Sequence, residues 1–100
     1  MIKFFFSNSI LLDKEADVNA TALDGTTALM LAATRGSLGA VNALLAKGAN
    51  VNATDIGGWT ALIMAADLGN LNMVKALLDR GANIDAVDND GKTALIRARG

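Results

Sequence analysis

The chain has 100 residues and a net charge of −1, and it contains no cysteine, histidine, tyrosine or proline. Its nine basic residues are scattered along the sequence, so they create no concentrated field for nucleic acid. The lack of cysteine excludes disulfides and thiolate metal sites and suits a reducing cytoplasm. No segment approaches the roughly 20 apolar residues of a membrane span. We expect a cytoplasmic protein with neither nucleic-acid nor membrane partners.

The first twelve residues are mostly apolar and include one lysine near the start. This arrangement is weakly similar to a secretory signal peptide. Polar residues 7–9 interrupt the apolar run, and no small-residue cleavage site precedes Asp13. Both features argue against a signal peptide.

The sequence then repeats itself with a period of 33 residues. Residues 16–48 and 49–81 agree at more than half of their positions, and a third copy begins at residue 82. A period of this length indicates one supersecondary unit stacked on copies of itself. We therefore expect one repeat domain, 1–100. It comprises a partial N-terminal repeat or cap (1–15), two full repeats (16–48 and 49–81) and a truncated third repeat (82–100).

Each full unit predicts two short antiparallel helices. In the second unit, Thr60 is a good N-cap, residues 61–66 favour a helix, and Gly69 is a typical stop. Asn70 can cap a second helix that ends before Gly81, with apolar residues at helical spacing. Helices this short do not persist alone, so stacking must stabilise them.

The segments that join the units predict extended, hairpin-like loops. Residues 48–58 and 81–91 are rich in glycine, asparagine and aspartate around a few β-branched residues, which is typical of turns. The residues thus predict an all-α solenoid of helix-turn-helix units, with β-hairpin-like loops between them.

These features resemble the ankyrin repeat. The resemblance is carried by the run from Gly58 to Ala66 (GWTALIMAA), by Gly69, by the Leu77-Leu78 pair and by residues 81–85 (GANID), and it covers residues 16–99. The chain departs from the family where Thr-Pro-Leu-His is usual, because the three units carry TALM, TALI and TALI. The resemblance implies a non-catalytic protein-protein interaction module or scaffold, without cofactors.

The resemblance also implies that loop tips and the exposed side of the first helices line a concave face that binds a protein partner. By position, this face comprises Leu23, Asp24, Thr26, Thr34, Arg35, Ile56, Gly57, Trp59, Asp67, Leu68, Asn89, Asp90 and Lys92. Trp59 is the only tryptophan, and interface hot spots are enriched in that residue type. With Ile56 and Leu68 it would form an apolar patch. Alternatively, Trp59 folds back on the adjacent loop.

Sites for chemistry are not indicated. Asp85, Asp88 and Asp90 before Gly91 are similar to a calcium loop, but in the register set by this glycine the first ligand position would be Ala86 and the bidentate twelfth would be Arg97. The run from Gly91 through Lys92 to Thr93 is similar to the end of a phosphate-binding loop, but the first glycine of that motif is missing. Acid-base or nucleophilic catalysis would have to proceed without histidine, cysteine or tyrosine. We expect no catalytic, cofactor or metal residues.

The two ends of the sequence suggest a second function. Residues 4–14 align with the second helix of a unit, whereas residues 93–100 predict a first helix. Two copies could therefore pair head-to-tail and form a homo-oligomer through apolar side chains at both ends. These side chains are Phe4, Phe5, Phe6, Leu95 and Ile96. Two alternatives stay open: the N-terminal segment caps unit one, or the sequence belongs to a longer array.

Overall fold

The computed structural model describes residues 17–100, and in this range the chain is all-α. The helices are α1 (Ala28–Thr34), α2 (Leu38–Ala46), α3 (Ala61–Asp67), α4 (Leu71–Asp79) and α5 (Ala94–Arg99). The pairs α1–α2 and α3–α4 are the two full units, and α5 is the first helix of the third unit. In the second unit, for which the sequence predicts helix ends, the predicted and observed ends differ by at most one residue. The prediction for residues 1–15 lies outside the described range.

Threonine hydroxyls begin the first helix of every unit. The Thr60 side chain accepts a hydrogen bond from the Ile63 N–H at 3.1 Å, and Thr27 and Thr93 cap α1 and α5 in the same way. Each hydroxyl satisfies one of the backbone donors that a helix N-terminus leaves free. Ser37 and Asn70 start the second helices by the same contact. Local residue choice therefore sets where these helices begin.

The first helices stack along the solenoid. α1 packs against α3, α3 packs against α5, and α2 and α4 pack beside the first helix of their own units. Small residues, among them Ala33 and Ala65, are fully buried where the first helices approach each other. Larger buried side chains, including Leu62 and Leu77, fill the remaining space in the same core. Stacking therefore buries apolar surface that a single short helix could not bury alone.

Tight hairpins form the loop tips. In the first unit, the Ala22 N–H donates to the Thr26 carbonyl and the Gly25 N–H donates back to the Ala22 carbonyl, both at 2.9 Å. Gly25 has a φ of 85°, as expected of the left-handed residue in a three-residue hairpin. The second and third units repeat this pattern. The predicted hairpin-like loops are confirmed as short turns, without regular strands in residues 17–100.

Backbone hydrogen bonds join each hairpin tip to the next. The Ile56 N–H donates to the Asp24 carbonyl at 2.8 Å, and the Asn89 N–H donates to the Gly57 carbonyl at 2.9 Å. A side chain at Gly58 would lie 2.9 Å from the Asn89 nitrogen. Glycine is therefore needed here both for the turn and for the close approach of the next unit.

Asparagine side chains link the units again at the base of the loops. The Asn19 side-chain oxygen accepts from the Asn50 N–H, and the Asn52 oxygen accepts from the Asn83 N–H, both at 2.7 Å. The tips and bases of adjacent loops are thus both fixed.

Among the helices of residues 17–100, none has the length and hydrophobicity that a membrane span requires.

Candidate protein-binding face

The most exposed part of the candidate face is at the hairpin tips. The Leu23 side chain is fully exposed and that of Ile56 is 78 % exposed. These residues hold the same position in consecutive hairpins, and the Ile56 N–H bonds to the carbonyl of Asp24, the residue that follows Leu23. Two large apolar side chains are therefore presented to solvent on a hydrogen-bonded frame.

Trp59 is less exposed than expected of an apolar side chain that is free to contact a partner. Its side chain is half-buried and packs against the hydrophobic core. The guanidinium carbon of Arg97 lies over the indole ring, 4.5 Å from its centroid, which is the geometry of a cation–π contact. Gly57 lies against the ring edge. Arg97, from the third unit, therefore covers one side of the ring.

Two aspartates hold Arg97 in place. Its Nε donates to Asp88 Oδ2 at 2.8 Å, and its Nη2 lies 2.6 Å from the same oxygen. A second ion pair joins Nη2 to Asp90 at 3.1 Å. The Asp88 side chain has no solvent exposure. A buried carboxylate with a hydrogen-bonded cation is the arrangement that avoids an unpaired internal charge.

Hydrogen bonds also determine how Asp88 titrates. Burial alone would raise the pKa of this carboxyl, but the Lys92 N–H, the Arg97 side chain and the Asp90 N–H all bond to it and together lower the pKa. Asp24 is an exposed aspartate whose pKa is lowered by the Thr26 side chain and N–H. Both carboxyls are therefore charged at neutral pH.

The C-terminal ends of the first helices carry the other part of the predicted face. Arg35 and Leu68 are the C-cap residues of α1 and α3, and both are exposed. The Thr34 hydroxyl donates to the Leu31 carbonyl at 2.9 Å, which directs it toward its own helix. The C-terminal ends of α1 and α3 thus each present one large side chain to solvent.

The structure sorts the predicted face residues by exposure. Those exposed to solvent are Leu23, Asp24, Thr34, Arg35, Ile56, Asp67, Leu68, Asn89, Asp90 and Lys92. Those half-buried are Thr26, Gly57 and Trp59. Contacts join Ile56 to Asp24 and to Asn89 at the tips.

Sequence reasoning missed the role of Arg97 and Asp88. In the sequence, Arg97 stands out only as a residue that is unfit for the twelfth position of a calcium loop. A signal was present, because the same position in the earlier units carries Leu31 and Met64. A charged residue at a position that is otherwise apolar indicates a specific partner nearby, since burying a lone charge is costly.

The residues predicted to mediate self-association lie partly outside the described range. Leu95 and Ile96 are 62 % and 46 % exposed. Phe4, Phe5 and Phe6 belong to residues 1–16, which the structure does not describe.

Within residues 17–100, no group of three or more acidic side chains could hold a metal ion. The three aspartates of the rejected calcium loop serve other contacts: Asp88 and Asp90 bind Arg97, and the Asp85 N–H bonds to Asn83.

The fold and the exposed tips define a class, namely helix-turn-helix solenoids with hairpin loops. A family model described as ankyrin repeats (many copies) matches residues 11–65 and 49–98, so the chain belongs to the ankyrin repeat family. Ankyrin repeats are generally protein-protein interaction modules, and the family is typically non-catalytic. No curated protein matches the chain.

Proposed function

We propose that this protein is a non-catalytic scaffold whose concave face, formed by the hairpin tips and the ends of the first helices, binds a protein partner. The observation that carries the proposal is the pair of exposed apolar side chains, Leu23 and Ile56, at adjacent tips. Large apolar side chains on a fixed frame are typical of contact surfaces.

Rigidity of the tips supports the proposal. The hairpins are bonded to each other through the Asp24 and Gly57 carbonyls, so little conformational freedom remains to be lost when a partner binds. A pre-ordered surface gains affinity because it avoids that entropic cost. Glycine at Gly25 and Gly58 allows the tips to approach closely enough for these bonds.

The Trp59–Arg97 pair gives the face a polar side. Arg97 is engaged by both Asp88 and Asp90, and this network places the third hairpin beside the indole. We infer that Trp59 acts mainly as the support for Arg97 and only at its open edge as a contact for the partner. Leu23 and Ile56 are then the stronger anchors, and Leu68 adds apolar area at the end of α3.

Photo-crosslinking tests the proposal at individual positions. A photoreactive amino acid would be placed at Ile56 or, as a control, at Ala46, which is exposed at the end of α2. Each variant would be mixed with an extract of the cells in which the protein is naturally made and then irradiated. The crosslinked proteins would be identified by mass spectrometry. We expect one dominant protein crosslinked from Ile56 and not from Ala46.

Two results would contradict this proposal. One is crosslinking of the same protein with equal yield from Ile56 and Ala46. The other is crosslinking that an excess of unlabelled wild-type chain fails to compete away, because specific binding must saturate.

A further inference from the structure

A small opening lies at the second hairpin tip, where glycine stands in place of a residue with a side chain. Gly57 occupies the position of Asp24 in the first unit and of Asp90 in the third, and both aspartates are exposed. A side chain at this position therefore points to solvent. Gly57 does not have a positive φ, so the backbone does not require glycine here. We call the gap that the missing side chain leaves the Gly57 opening.

The indole edge of Trp59 and the carboxylate of Asp55 border the Gly57 opening. The carbon of a methyl group on Gly57 would lie 3.2 Å from Trp59 Cδ1, 3.7 Å from Trp59 Nε1 and 3.4 Å from Asp55 Oδ1. Carbon atoms pack best at about 3.5–4.0 Å, so alanine at this position would crowd the indole and partly close the opening. Glycine thus keeps a hydrogen-bond donor and an acceptor accessible close to each other.

Both groups retain unused hydrogen-bonding capacity. Asp55 Oδ1 accepts from the backbone N–H groups of Gly57 and Trp59 at 2.9 and 3.0 Å, whereas Asp55 Oδ2 has no hydrogen-bond partner among residues 17–100. Within the same range, the indole N–H of Trp59 donates to no acceptor. Neither atom is a buried polar atom left without a partner, so both reach solvent.

The third unit shows how the equivalent aspartate is satisfied. Asp88 Oδ1 accepts from the N–H groups two and four residues later, as Asp55 Oδ1 does. Arg97 then donates to Asp88 Oδ2 at 2.8 Å. In the second unit, the position of Arg97 is taken by Met64, whose side chain has no N–H to donate. Asp55 therefore remains able to accept a hydrogen bond from a partner.

The indole N–H and the carboxylate together favour an amide ligand. A carboxylate ligand would accept from the indole but would be repelled by Asp55, whereas an ammonium or guanidinium group has no acceptor for the indole N–H. A primary carboxamide carries an oxygen acceptor and N–H donors side by side. The C=O and N–H of one trans peptide bond point in opposite directions, so a single main-chain amide cannot reach both groups through one opening.

We propose that the Gly57 opening binds the side-chain carboxamide of a glutamine or asparagine on the protein partner. The carboxamide oxygen accepts from Trp59 Nε1, and its nitrogen donates to the Asp55 carboxylate. The inference rests on the proposed partner-binding face and extends it. Leu23 and Ile56 supply apolar contact area, whereas the Gly57 opening determines which residue the partner must place beside them.

A titration of the full chain with acetamide, followed by NMR, tests the Gly57 opening without the partner. Trp59 is the only tryptophan, so the spectrum contains one indole N–H signal, which reports directly on the donor. Acetamide should shift this signal in a saturable manner. N,N-Dimethylacetamide keeps the carbonyl but has no N–H, and it should bind about tenfold more weakly because it loses a hydrogen bond to a charged group.

Gly57→Ala and Gly39→Ala form a matched pair of variants for this titration. Neither glycine has a positive φ, but a methyl group at Gly39 would meet nothing within 4 Å. Gly57→Ala should abolish the shift caused by acetamide, and Gly39→Ala should leave it unchanged. Asp55→Asn should remove the preference for acetamide over dimethylacetamide. An indole signal that acetamide does not shift, or shifts equally in wild type and Gly57→Ala, would overturn the proposal.

The crosslinked partner provides a second test, in the complex itself. Each glutamine and asparagine of the partner is replaced by alanine in turn, and its affinity for wild type and for Gly57→Ala is measured. One replacement should weaken binding to wild type about tenfold and leave binding to Gly57→Ala unaltered. Replacements that act equally on both chains would overturn the carboxamide assignment. If no partner is crosslinked from Ile56, the proposed function fails, whereas the acetamide result stands by itself.

Discussion

Gly58 and Gly91 form a natural matched pair for measuring how much the stacked hairpin tips contribute to stability. Their φ angles are almost equal, at 79° and 77°, and both occupy the same place in the turn. A methyl group at Gly58 would lie 2.9 Å from the Asn89 nitrogen, whereas one at Gly91 would meet nothing within 4 Å. Alanine at the two positions therefore differs in its contact with the next unit.

The expected losses of stability follow from backbone strain, which alanine meets at both positions, and from the contact with the next unit, which it meets only at Gly58. Left-handed backbone costs alanine about 1–2 kcal/mol at either site. At Gly58 the methyl also pushes the next tip away and breaks the hydrogen bond from the Asn89 N–H to the Gly57 carbonyl, a further loss of about 0.5–1.5 kcal/mol before steric strain. We expect Gly58→Ala to lower the free energy of unfolding by about 2–4 kcal/mol and Gly91→Ala by about 1–2 kcal/mol.

Urea unfolding, followed by circular dichroism and tryptophan fluorescence, measures both values. Fluorescence is informative because the indole of Trp59 contacts Arg97 from the third unit, so a displaced third unit should change the emission of Gly58→Ala before unfolding. Equal losses of stability in the two variants, with unchanged emission in both, would refute the stacking argument.

Three further substitutions test the core, a cap and the buried charge. Leu62→Ala removes a side chain that is 1 % exposed and should lower the free energy of unfolding by about 2–5 kcal/mol in urea titrations, as is usual for buried leucine. Thr60→Ala removes the N-cap bond of α3 and should cost about 1 kcal/mol in the same assay; a change below the error of the titration would contradict that role. Arg97→Met introduces the residue that Met64 supplies one unit earlier, and leaves the Asp88 carboxylate buried without its cation. The folded-state pKa of Asp88 is lowered. The stability that its charged form contributes is therefore fully present above about pH 3.9, and it is lost as the pH falls through the lower folded-state pKa. The melting temperature of the Arg97→Met variant should therefore fall below that of wild type at pH 7, and the gap should narrow in acid; a gap independent of pH would contradict the assignment.

Much of the fold could be predicted from the sequence because its determinants are local. A threonine hydroxyl caps a helix three residues away, as Thr60 does for α3. A hairpin turn needs only a glycine at one position, as Gly25 shows. The 33-residue period then supplies the long-range arrangement, since each unit needs only its neighbours.

The environment of Trp59 could not be predicted with the same certainty. It depends on Arg97, which follows it by more than one unit, and on the orientation of two aspartate side chains from the intervening hairpin. Sequence reasoning raised the possibility that Trp59 packs on a neighbouring loop, but the contact is with a helix residue as well. Exposure at Leu23 and Ile56, in contrast, follows directly from their positions at the hairpin tips.

The dissociation constant of the crosslinked partner for three purified chains tests the central claim most directly. These chains are wild type, Ile56→Asp at the hairpin tip and Ala46→Asp at the end of α2, where the next unit naturally carries Asp79. Binding through the concave face predicts that Ile56→Asp raises the dissociation constant about tenfold or more, whereas Ala46→Asp leaves it at the wild-type value. Equal affinities for all three chains would contradict the claim.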